Sequence, residues 1–178
     1  MKTTKIGGLV LSLALAAAAA SAVPYVELPN GSRVTGSAIR ALANGDINLT
    51  MEMGMRTFPK GTYVKAVADK PAEYDQAAAA IKAQKYDVAI KLLEGIIARF
   101  RYLSWDVEAS KLLAQARMAS GDAEGAVKAY EQLFLLAPAE KQNADSLWGL
   151  RRAMLKAQQF PALIRQLDAV AAAGNRAE

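Results

Sequence analysis

The chain has 178 residues, no cysteine and no histidine, and its 22 Lys and Arg against 17 Asp and Glu give a formal charge of +5 at neutral pH. Without cysteine there is neither a disulfide-stapled scaffold nor a lipid-modified cysteine, and without histidine the commonest general base and metal ligand are missing. The basic residues are dispersed rather than gathered on one face, which argues against nucleic-acid binding.

The first 22 residues read as a secretory leader. Lys2 and Lys5 precede an apolar run, residues 6–20 (IGGLVLSLALAAAAA), and Ala20-Ser21-Ala22 supplies the small-x-small pattern that sets cleavage before Val23. Losing the two leader lysines brings the charge to +3. No second apolar span follows, so the expectation is a protein exported across the inner membrane of a bacterium, periplasmic, not a lipoprotein, with no membrane span after cleavage.

Residues 23–70 predict short strands at 25–28, 33–42, 47–53, 55–58 and 62–67, separated by the turn signals Pro29-Asn30-Gly31-Ser32, Asn44-Gly45-Asp46 and Pro59-Lys60-Gly61. In INLTMEMGM (47–55), period-2 spacing puts Ile47, Leu49, Met51, Met53 and Met55 on one face. Three methionines in one row could ligate Cu(I), but on one strand face they read as core. The spacings Val34-x-Gly36-x-x-Ile39, Gly45-x-Ile47-x-Leu49 and the run from Phe58 to Val64 (FPKGTYV) resemble the small SH3-like and Sm-like barrels. That resemblance implies a closed antiparallel barrel, and for an exported protein an alternative role in binding peptidoglycan or another envelope polymer.

After Asp69-Lys70-Pro71 the composition turns to Ala, Leu, Lys and Glu, with no glycine until Gly95, and residues 71–178 predict helices throughout. Pro71 suits a first turn, and Glu73 and Asp75 suit its positive end. Sliding this region along itself by 37 residues aligns YDVAIKLL (86–93) with AEGAVKAY (123–130) and FPALIRQL (160–167). Three helix hairpins follow, about 72–100, 104–138 and 143–173. The middle copy resembles the tetratricopeptide repeat: Leu113-Ala114 stands at that family's Leu-Gly pair, Ala126 at its small residue, Tyr130 and Leu133 at its large packing positions, and Pro138 at its break. By this register Ala77, Ala89, Ala114 and Ala126 are packing positions where helices approach closely.

The resemblance implies a groove lined by first helices, hence by Tyr74, Ala78 and Lys82, by Glu108, Lys111, Gln115 and Met118, and by Asp145, Trp148, Arg152 and Lys156. Trp148 would anchor a peptide while Lys111, Arg152 and Lys156 meet its carboxylates; the competing reading is a packed tryptophan among solvated charges. Ser104 reads as a helix N-cap with Asp106 and Glu108 as dipole partners in the first turn. No Ser-x-x-Lys, Gly-x-Ser-x-Gly or phosphate-cradling loop is present. The expected fold class is α+β, a small N-terminal barrel followed by a helical solenoid. The expected function is a non-catalytic interaction or scaffold module, with no cofactor and no metal. The last hairpin ends in Leu167, Val170 and alanines before Asn175, Arg176 and Glu178, so its outer face is expected to be apolar and to dock a partner or a second copy.

Overall fold

The computed structural model describes residues 23–174. The expected leader, 1–22, lies outside the described residues, as do 175–178. The fold is mixed α+β. Six strands, β1 (Tyr25–Glu27), β2 (Arg33–Thr35), β3 (Ala38–Ala41), β4 (Ile47–Met51), β5 (Gly54–Phe58) and β6 (Lys65–Val67), precede six helices. The helices are α1 (Ala72–Lys82), α2 (Tyr86–Arg99), α3 (Trp105–Ser120), α4 (Ala123–Leu136), α5 (Ala144–Lys156) and α6 (Phe160–Gly174), with a 3-10 turn at Pro138–Gln142.

The strands do not close into the expected barrel. They form two antiparallel three-stranded sheets, β2-β1-β6 and β3-β4-β5. The cause lies at Gly36, which breaks the strand expected over 33–42: its N–H donates to the Pro24 carbonyl, while Ser37 N–H donates to the Thr50 carbonyl of the other sheet. A Cβ at position 36 would fall 2.3 Å from the Thr50 oxygen, so only glycine lets the chain pass from one sheet to the other here.

The methionine row is also corrected. β4 and β5 pair Met51 with Gly54 and Thr50 with Met55, leaving Glu52 and Met53 as a two-residue turn. That turn reverses the face: Met51 stays with Ile47 and Leu49, Met55 joins Thr50 on the outside, and Met53 stands fully exposed at the tip. Only the first methionine packs against the core.

The six helices form three antiparallel hairpins, α1–α2, α3–α4 and α5–α6, stacked so that α3 also packs on α2 and α5 on α4. Their turns share one backbone: Gln84, Gly121 and Gln158, spaced 37 residues apart, all take positive φ, at 59°, 91° and 57°. At Gln84 and Gln158 the helix ends in paired bonds, Lys85 N–H to the Ala80 carbonyl and Gln159 N–H to the Met154 carbonyl, that a left-handed residue makes available. Ala77, Ala89, Ala114 and Ala126 are fully buried, Tyr130 and Leu133 pack beside them, and Pro138 opens the 3-10 turn.

The two parts share a seam. The sheet core of Val26, Ile47, Leu49, Phe58, Ala66 and Ala68 is completed by Leu103, which comes from the loop between α2 and α3. Tyr102 and Ser104 hold positive φ to aim it. Ser104 therefore corrects another expectation: its hydroxyl donates to the Ala66 carbonyl at 2.8 Å and makes no cap bond to α3. Trp105 Nε1–H donates to the Ala68 carbonyl, and buried Asp106 accepts from the Tyr102 and Val107 N–H groups. Burial pushes the Asp106 carboxyl above its ordinary range, against the pull of those bonds.

Candidate functional site

Most of the expected groove residues fall into three groups. Tyr74 packs edge-on against Trp105, ring centroids 5.2 Å apart, and belongs to the seam. Lys111 is committed to the structure. Its ammonium reaches Glu140 at 2.7 Å and Glu108 at 3.6 Å, and Glu140 also accepts the Ser146 hydroxyl. Burial alone raises Glu140, but the hydrogen bonds from Lys111 and Ser146 and the Lys111 charge outweigh it and hold the carboxyl below its usual range. This network ties α3 to the connection between the second and third hairpins and engages the Lys111 ammonium with two carboxylates.

Gln115, Met118 and Arg152 do come together. With Ala119 they rim a depression of about 330 Å³ floored by Tyr130 and Gly149. Gly149 is what lets Tyr130 lie there, because a Cβ at 149 would stand 2.1 Å from the phenol oxygen. Lys156 borders the depression and donates to the Met118 carbonyl at 3.5 Å. Trp148, one turn before Arg152 on α5, is 58% exposed, with the Arg151 guanidinium 5.3 Å above its ring. The result is an apolar aromatic flanked by cations on the exposed side of α5, able to meet an apolar side chain and carboxylates together.

A larger cleft escaped the sequence reading. It lies between α2 and α4 over α3, about 530 Å³, with Ile97, Leu113, Ala129 and Leu136 among its apolar lining and Arg101 and Lys128 on its rim. Arg117 in its wall is held by Glu94 at 2.8 Å and Asp122 at 2.9 Å. The repeat carried a signal for this surface: Lys91, Lys128 and Arg165, and likewise Glu94, Glu131 and Asp168, recur at intervals of 37. Arg151 was also missed. It occupies the register of the buried Ala77 and Ala114, and its Nε is buried without a partner.

Among the described residues no group of three or more Asp or Glu is placed to hold a metal ion, and no helix is long and apolar enough to cross a membrane. No family model matches the chain, and neither the curated proteins nor the solved structures yield a match.

Proposed function

We propose that the chain is an exported, non-catalytic interaction module, a stack of tetratricopeptide-like hairpins that binds an acidic peptide segment carrying an apolar anchor. The observation that carries this reading is the exposed Trp148 beside Arg151, Arg152 and Lys156, next to the depression over Tyr130. An indole left open to water amid cations has little reason to be there for stability, whereas a partner that covers it gains both burial and charge pairing. Export rests on the leader pattern over 1–22, and detection of a mature chain beginning at Val23 in the periplasmic fraction would support it.

The test uses the two tryptophans as separate probes. Trp105 is tied to Ala68 in the seam, so fluorescence change on titrating short Glu-rich peptides containing Leu or Phe should come from Trp148 and vanish in Trp148→Phe. Arg152→Glu should weaken binding at least tenfold, about 1.4 kcal/mol. Binding unaffected by either substitution would refute the assignment of this face.

A further inference from the structure

We infer that the chain pairs with a second copy of itself, tail to tail, through the outer face of the last hairpin. Phe160, Ile164, Leu167 and Val170 fall on one stripe of α6 and are 47%, 55%, 43% and 55% exposed. Moved back by 37 residues they land on Ala123, Val127, Tyr130 and Leu133, all buried, where α5 and the 3-10 turn cover α4. Moved back again they land on Tyr86, Ile90, Leu93 and Ile96, the last two fully buried, where α3 covers α2. Leu155, 56% exposed on α5, likewise corresponds to Met118, which packs against the helical core. The internal repeat thus states what belongs on this face: helix, laid across it as α5 lies across α4.

The far end of the stack cannot supply that helix. The exposed positions of α1 are Ala72, Asp75, Gln76, Ala79 and Lys82, with no large apolar side chain among them. Head-to-tail stacking would therefore set an apolar face on a polar one, whereas a two-fold axis sets apolar on apolar and closes the assembly at two copies. Charge agrees. Asp168 borders the stripe on α6, while Arg152 and Lys156 stand on the exposed side of α5. Laying α5 of one copy against α6 of the other brings Arg152 and Lys156 toward Asp168 twice, with Arg165 of α6 one turn before it on the same helix. The face is built from helices of 13 and 15 residues that show only one side. It falls below the roughly 20–30 residues a side of a standard interface, so the expected dimer is weak and readily reversible.

Sedimentation equilibrium on the exported chain, from about 1 to 300 µM, tests this. The expected result is a reversible monomer–dimer equilibrium that Ile164→Asp and Leu167→Asp each weaken more than tenfold, with the helical circular dichroism unchanged. Val88→Asp, at an apolar position exposed on α2, should leave it intact. Lys156→Glu should weaken the dimer and the double variant with Asp168→Lys should recover it. A monomer across the whole range overturns the inference. So does a dimer indifferent to Ile164→Asp, or a complex with a different protein on α6 in place of the dimer. Because Arg152 and Lys156 are common to this contact and to the peptide face, peptide titration at Trp148 is run at about 1 µM, and Ile164→Asp and Leu167→Asp, which lie on α6 alone, distinguish failure of the dimer from failure of the peptide reading.

Discussion

The second and third hairpins have the same register and opposite fates. Leu133 is fully buried and Val170, 37 residues later, is more than half exposed; Ala114 is sealed between helices while its counterpart Arg151 carries a guanidinium over Trp148. The difference is one of neighbours. An amphipathic second helix exports its apolar face to whatever follows it, and the second hairpin has the third to receive it. A repeat's stability is therefore partly a property of the next repeat, which is why burial differs between positions that the sequence treats as equivalent.

The sharpest way to break that comparison is to truncate the two equivalent side chains. Leu133→Ala should cost about 2–5 kcal/mol in urea unfolding and Val170→Ala no more than about 0.5 kcal/mol at concentrations where the chain is monomeric. Similar losses would mean that the two faces are equally covered. Glycines sharpen it next. Gly149→Ala drives a methyl group into Tyr130 and should cost about 1–3 kcal/mol. Gly95→Ala, with nothing near its side-chain position on α2, should instead gain about 0.5–1 kcal/mol. Ser104→Ala, which strands the Ala66 carbonyl at the seam, should cost about 1–2 kcal/mol and lower the thermal midpoint.

Smaller effects come from the turns. Gln84→Gly and Gln158→Gly relieve left-handed strain and should each raise stability by about 0.5 kcal/mol, with Gly121→Ala moving in the opposite direction. The smallest expected effect is in pH. Glu140 is held low in the folded state, so its stabilisation is present above the ordinary glutamate pKa and is lost as pH falls through its lowered folded value. Asp106, raised by burial, works the other way and relieves a cost as pH falls through its folded pKa. The stability gap between the parent chain and Glu140→Gln should thus narrow from pH 6 toward pH 3.

The helices were legible because small and large residues return every 37 positions, and a pattern repeated three times survives the decay of any one copy. The strands were legible as strands but not as an assembly. Whether β2 and β3 run on or part company depends on how close Gly36 comes to Thr50, and where the methionine row turns over depends on which two residues make the hairpin tip. Both are set by partners elsewhere in the chain, which period-2 spacing does not see. The site divides in the same way. Gln115 and Arg152 could be placed on one side from helix register, whereas the capture of Lys111 by Glu140 and the footing of Tyr130 on Gly149 are contacts between hairpins. Ser104 and Asp106 looked like ordinary helix-start residues, and their engagement with the sheet seam arises from a loop whose backbone no local preference favours.

Leu103 has a consequence for how the chain comes into being. Synthesis delivers residues 23–70 ahead of the helices, and at that moment the strand segments of both sheets are made while the side chain that completes their shared interior is still more than thirty residues away. The strands must wait, with Ile47, Leu49 and Phe58 unsealed, until α1 and α2 have emerged and the loop after them can be seated. The helices, whose contacts are nearer in sequence, are free to form on their own schedule. The strand segment, made before the helices, is then the last to be finished, and the α2–α3 loop is the latch that closes it.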